Sequence, residues 1–260
     1  MILKVLWIRF LNQLRTELEY KANLGSAFII ETIYALFTFF YLGVIFSFVI
    51  TINGWVLNDY IVYFLIANFS ISIFDFAKTT IDDDIIEGEL TNYLLRPISE
   101  FVFYPYLKIS QLIFTLVHFI LLVSFSLIYL NNIATINVLF SIILFICSLP
   151  ILFLPQLMIR TLAFWFGRVK SLKNAYGSLI DNFDTIPITV ISKAFFILLV
   201  ILTPVSYLNW YIPTAMFLGK ISLSYGLLML IMIIGVDLLL LGLFLIIYKK
   251  GLKQYEGFGG

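Results

Sequence analysis

IDDDIIEGELTNYLLRPIS, Ile81 to Ser99, separates two long apolar runs with more charge than a plain turn requires. Asp82, Asp83 and Asp84 open it, where carboxylates can cap a helix start and oppose the positive end of its dipole. Ile81, Ile85, Ile86, Leu90, Tyr93 and Leu94 recur at roughly helical spacing, and Pro97 pushes Arg96 out of the α region. The spacing therefore predicts a short helix that stops there. One side of it is apolar and the other acidic. That is the pattern of a docking surface, and a solvated loop fits it equally well.

The rest of the chain says what this island is attached to. Apolar residues make up 62% of the 260 and charged residues 12%, against roughly 45–50% and about 25% in soluble domains. This composition is that of an integral membrane protein. The net charge of +1 gives no field for nucleic acid, so basic residues matter by position. Cys147 stands alone in an apolar run, which excludes an intrachain disulfide and a cysteine-pair zinc site; it reads as a small buried hydrophobe.

A helix needs about 20 mostly apolar residues to span a bilayer. Six runs qualify: Ala27 to Ile50, Tyr60 to Ala77, Phe103 to Leu130, Val138 to Phe164, Ile188 to Tyr207 and Leu223 to Tyr248. The fifth is bracketed by Pro187 and Pro204 and contains Lys193. No long soluble stretch, low-complexity linker or internal repeat divides the chain, so residues 1–260 read as one all-α transmembrane domain of six helices.

Lysine and arginine favour the cytoplasmic ends of short loops. Lys4, Arg9, Arg15 and Lys21 precede the first run; Lys78, Arg96 and Lys108 flank the island; Arg160, Arg168, Lys170, Lys173 and Lys193 flank the connection after the fourth run; Lys249, Lys250 and Lys253 follow the sixth. The connections TINGWVLND and YLNNIATIN carry none, and the one after the fifth run carries only Lys220. Both termini and the island are therefore expected in the cytoplasm, with Arg160 reaching the inner headgroups.

Two irregular segments flank this plan. Leu3, Trp7, Leu11, Leu14 and Leu18 form one helical stripe, with Arg9, Gln13, Thr16 and Glu17 largely opposite. Residues 1–24 are thus expected as an amphipathic helix lying in the headgroup layer rather than as a longer first span, because buried basic residues are costly. Between the fifth and sixth runs, Pro204 and Pro213 rule out a straight helix, while Tyr207, Trp210 and Tyr211 are side chains typical of a membrane interface. Residues 204–220 fit either a re-entrant extracellular gate, with Pro204, Trp210 and Pro213 as its defining residues, or an interfacial loop with aromatic anchors.

His118 lies about midway along the third run and Asp237 midway along the sixth, at compatible depths. They form either an intramembrane pair or two separately satisfied structural residues. Enzyme chemistry finds little support. One histidine excludes HExxH, no serine sits in GxSxG, and GxxxxGK[ST] is absent, so any ATP is bound by another polypeptide.

The segment IIEGELTNYLLRPIS resembles the G-x-L-x-x-x-L-x-R-P cytoplasmic signature of six-helix ABC exporter permeases of the ABC-2-like branch, here Gly88, Leu90, Leu94, Arg96 and Pro97. The ending GLKQYEGFGG is similar to that family's terminal pattern through Gly251, Leu252, Tyr255 and Gly259 or Gly260. Pro187, Pro204, Pro213 and Gly219 occupy its spaced proline and glycine places, although Asp184 to Ile186 stand where an aromatic would precede the first proline. The resemblance implies an ATP-driven exporter in a prokaryotic cytoplasmic membrane. It would have two permeases, identical or paralogous, and separate ABC ATPase subunits that hold ATP and Mg, none being bound by this chain. It makes the island a coupling helix, with Ile85, Leu90 and Leu94 as apolar anchors, Glu87, Glu89 and Arg96 as polar contacts, and Gly88 allowing close approach before Pro97. A gradient-driven transporter using Asp237 and His118, or a lipid-modifying membrane enzyme, are the alternatives. No inverted repeat supports the first and no reactive group the second.

Overall fold

The structure is a computed structural model and describes residues 21–95, 105–107, 109–129, 134–181, 184–185 and 204–255, together with 8, 11, 12, 15 and 19. Most of the N-terminal amphipathic segment, Arg96, Pro97 and the fifth apolar run up to residue 203 lie outside them.

The described residues are overwhelmingly helical. Five long helices overlap five of the six apolar runs: α1 (Lys21–Phe48), α2 (Leu57–Phe76), α5 (Ile109–Tyr129), α6 (Thr135–Thr161) and α10 (Leu223–Gln254). Three stretches, Phe28–Phe48, Thr135–Phe166 and Leu223–Gln254, are long and apolar enough to cross a bilayer, and Leu57–Ile73 and Thr115–Ile128 are shorter apolar helices. Shorter elements fill the connections: α3 (Ile81–Ile86), α4 (Leu90–Leu94), α7 (Ala163–Phe166), α8 (Lys170–Asp181), a π-helix (Val205–Tyr211) and α9 (Ile212–Phe217). The described strands are a three-residue antiparallel pair, β1 (Ala77–Thr79) with β2 (Pro105–Leu107), in which Ala77 is opposite Leu107 and Thr79 opposite Pro105. It pairs a stretch that precedes the island in sequence with one that follows it.

Burial separates the helices by role. In α2 every residue from Tyr60 to Asn68 is buried, so this helix is enclosed on all sides. Its polar groups are satisfied accordingly: Asn68 donates to the Phe64 carbonyl at 3.0 Å and Ser72 to that of Phe69 at 2.8 Å. Among its described side chains α1 buries the stripe Ala35, Thr38 and Leu42 and leaves Phe37 and Phe40 exposed, an outer face suited to lipid or a partner. α5 packs chiefly on α2, and α10 chiefly on α6.

The segment 204–217 is neither a loop nor a set of separate pieces. Pro204 precedes the π-helix, whose wide turn runs directly into α9, and Pro213 falls in the first turn of α9. Gly219, at φ +68, then ends it: Gly219 N–H donates to Met216 O at 3.0 Å and Lys220 N–H to Ala215 O at 2.8 Å, a Schellman closure. The segment lies against α2 and α6, and Trp210 is completely buried. The expectation of Trp210 as an interfacial anchor is therefore corrected, because its ring fills the core beside Tyr63.

A second, smaller core lies at the island end and unites Ile81, Ile85, Leu90, Leu154, Ala163, Val169, Phe244 and Tyr248. Gly251 admits Phe164 there: a Cβ on Gly251 would stand 2.1 Å from Phe164 Cδ2. Gly251→Ala gains about 1 kcal/mol of helix propensity, but overpacking costs about 1–3 kcal/mol. With so close a contact the steric cost should win, so the thermal midpoint in detergent is expected to fall.

Candidate functional site: the charged island and its anchors

The island does not form the single helix its spacing predicts. α3 ends at Ile86 with Glu87 as its C-cap, Gly88 turns into the left-handed region at φ +79, and α4 begins at Leu90. The three aspartates also divide their work. Thr80 occupies the N-cap without a side-chain cap bond, and Thr80 Oγ1 donates to Asp84 Oδ2 at 3.3 Å. Burial, with Asp83, Glu87 and Glu89 nearby, raises the Asp84 pKa despite that hydrogen bond.

Asp82 is turned inward and only 3% exposed. Its Oδ1 accepts from Arg160 Nη1 at 2.6 Å and its Oδ2 from Lys173 Nζ at 2.8 Å. Burial alone would raise the pKa of this carboxyl. The Lys173 hydrogen bond and the Arg160 charge outweigh it and hold the group below the ordinary carboxylate range. Arg160 is 2% exposed at the end of α6, so the expectation that it reaches lipid headgroups is corrected: its guanidinium finds a carboxylate inside the protein.

The resemblance-derived anchors fall on two different surfaces. Ile85 and Leu90 are buried within the chain, in the small core with Leu154 and Tyr248. Glu87, Glu89 and Leu94 are exposed, as are Asp83, Thr91, Asn92 and Leu95, while Gly88 is half-buried. Asn92 Nδ2 donates to Glu89 Oε2 at 2.6 Å, which stiffens this outer face.

The carboxyl end of α10 braces the same region. Phe164 of α7 meets Tyr248 and Tyr255 edge-on, each at a centroid distance of 6.0 Å, and Tyr255 Oη lies 3.4 Å from Thr91 Oγ1. Gly251 and Tyr255, two places of the terminal pattern, thus form a seat for one phenylalanine beside the island.

At the opposite ends of the helices a second polar cluster fastens the α1–α2 turn to the segment 204–220. Asn53 and Gly54 take φ +51 and +76, and Ile52 and Trp55 exchange backbone hydrogen bonds at 3.0 Å, the geometry of a two-residue primed turn. Lys220 Nζ lies 2.7 Å from Asp59 Oδ2, 3.0 Å from Gly54 O and 5.6 Å from the centre of the Trp55 ring. Asp59 Oδ2 also accepts from Val56 N–H at 2.8 Å, and Trp55 stacks on Tyr211 at 5.1 Å. The Asn-Gly dipeptide was the available sequence signal for this turn. Lys220→Ala is expected to cost about 1 kcal/mol and to raise the labelling rate of a cysteine placed at Thr51.

Asn209 ties this segment to two long helices. It accepts a short hydrogen bond from Ser70 of α2 and donates to Ser148 Oγ of α6 at 2.8 Å, while Ser141 of α6 donates to Pro213 O at 2.8 Å. An apolar cavity of about 810 Å³ lies alongside, between α2, α5, α6 and α9. Its polar lining residues, Ser126 and Ser141, both direct their hydroxyls to backbone carbonyls.

His118 is buried on α5, and Asp237 is half-buried on α10, its Oδ1 lacking a hydrogen-bond partner among the described residues. Their helices have different principal neighbours, α2 and α6. The sequence marked Asp184 only as part of a departure from the family pattern, whereas its Oδ2 accepts from Tyr34 Oη at 2.6 Å and from Asn68 Nδ2 at 3.4 Å, linking α1 and α2 to the chain after α8. Among the described residues, no cluster of three histidine, cysteine or acidic side chains is placed to hold a metal.

Neither a curated protein nor a solved structure matches the chain. A family model described as ABC-2 family transporter protein does match, over residues 32–259. That span takes in the second half of α1, the other long apolar helices, the island and the α10 seat, and the chain is a multi-pass membrane protein belonging to this family of transport membrane components.

Proposed function

We propose that the chain is the permease subunit of an ATP-driven exporter, six helices in one domain with both termini in the cytoplasm of a prokaryotic cell. It works with a second permease and with separate ATPase subunits that bind ATP and Mg. The observation that carries this reading is the two-sided island. Ile81, Ile85, Leu90 and Asp82 fasten one side to the ends of α6, α7, α8 and α10, while Glu87, Glu89, Asn92, Leu94 and Leu95 are exposed on the other. A loop with no partner has no need of so much internal bracing, whereas a surface that must transmit force does. Docking therefore falls to the exposed face, with Arg96 and Pro97 following it in sequence, and Ile85 and Leu90 serve as its roots.

The lysine and arginine asymmetry supports a cytoplasmic island, and the segment 204–220 then closes the extracellular side around Pro204, Trp210 and Pro213. The gradient-driven reading, with His118 and Asp237 as a proton site, gains no support from helices that pack chiefly on different neighbours. In cells carrying Cys147→Ser and Asn92→Cys, a membrane-permeant thiol reagent should label the chain and an impermeant one should not. Equal labelling by both places the island outside and ends this reading.

A further inference from the structure

Asp82 is fixed to the island by the backbone of α3, yet both its charge partners belong to other elements. Arg160 is the penultimate residue of α6, and Lys173 lies in the first turn of α8. The Arg160 and Asp82 side chains are 3% and 4% exposed, so water gives neither an alternative partner, and Arg160 Nε has none among the described residues. Moving the island away from α6 would strand two charges in a dry site, a cost that makes the contact stiff. The opposite half of α6 is held just as specifically, by Ser148 to Asn209 and by Ser141 to the Pro213 carbonyl. Between those attachments and Arg160 the helix contains Pro150 and Pro155, each of which removes a ladder hydrogen bond and so provides a place to bend.

We infer that the Asp82–Arg160–Lys173 cluster is the joint through which the island moves α6, and that α6 is the strut carrying this movement to the segment 204–217. Asp82 is on this view a positioning residue, acting through Arg160. The inference rests on the proposed coupling to an ATPase and goes beyond it by assigning the path inside the permease. It requires only one element with two fixed ends, a physical connection rather than a chain of proximities.

The test uses the full-length chain in nanodiscs with the ATPase that co-purifies with it, Cys147→Ser, and spin labels at Thr51 and Ser224, two exposed positions at the end remote from the island. Addition of ATP and vanadate should shift the inter-label distance in the parent. Asp82→Asn should retain the ATPase and its hydrolysis but lose at least nine-tenths of the shift. Asp82→Glu should restore it. Lys173→Gln, which leaves the Arg160 contact intact, should give a partial loss and serves if Asp82→Asn fails to insert. A full shift in Asp82→Asn, or in Lys173→Gln where that variant stands in for it, overturns the joint. So does a loss that follows melting temperature alone, appearing equally in Asp82→Glu and in Gly251→Ala. A parent chain that retains no ATPase refutes the coupling reading itself, and the joint falls with it.

Discussion

Asp82→Ala is expected to destabilise the protein by about 3–5 kcal/mol, the usual cost of removing one partner from a buried ion pair. The magnitude comes from what the substitution leaves behind. Lys173, with 26% of its side chain exposed, can turn to solvent, whereas the Arg160 side chain at 3% cannot. Adding Arg160→Met should recover much of the loss, because the double variant no longer buries an unpaired charge. Reversible unfolding in mixed micelles measures both. The pH dependence has a definite sign. Because Asp82 is held below the ordinary carboxylate range, its contribution is present at neutral pH and is lost as pH falls through the depressed folded value, below about pH 4. Asp82→Asn should flatten that acid limb, and an unchanged limb would remove Asp82 from the account.

The second large effect is expected at the opposite face of the same island. Leu94 and Leu95 are 40% and 79% exposed, although leucines two and one residues before an arginine–proline pair could readily have been packed inward. If they enter a groove on an ATPase, replacing both by alanine removes about 2–4 kcal/mol of apolar contact, a loss of affinity of roughly thirtyfold or more. Folding should be nearly untouched, since neither belongs to the small core. Ile85→Ala with Leu90→Ala should do the reverse, lowering stability first and association only as a consequence. The two pairs thus separate docking from rooting, which a combined substitution of Ile85, Leu90 and Leu94 would not.

How far the sequence reached can be judged residue by residue. Apolar run length located the long helices, because burial in lipid or core demands about the same uninterrupted stretch. It could not reveal that α2 is the enclosed one, since an apolar helix reads alike whether lipid or protein surrounds it. The island was legible as a unit, but its break at Gly88 was not. A glycine tolerates both helix and the left-handed turn, and only the inward pull on both Ile85 and Leu90 selects the second. Asp82 illustrates the limit most clearly. At a helix start its local chemistry favours capping, and its actual partner Arg160 is 78 residues away. Trp210 misled for a related reason, because an amphipathic ring suits an interface and a core alike. Arg96, Pro97 and residues 186–203 lie outside the described structure, so expectations placed on them stand on sequence alone.

The proposal at the centre is that this permease is driven from one side by a separate ATPase seated on the exposed face of residues 83–95. Affinity purification of the full-length chain from its own membranes, followed by measurement of vanadate-sensitive ATP hydrolysis in the eluate, tests it most directly. The account predicts an ATPase retained with the wild type, lost with Leu94→Ala/Leu95→Ala, and kept when Phe37 and Phe40 on the outer face of α1 are replaced by alanine. An eluate free of ATP hydrolysis, or one whose ATPase is indifferent to Leu94 and Leu95, would contradict it.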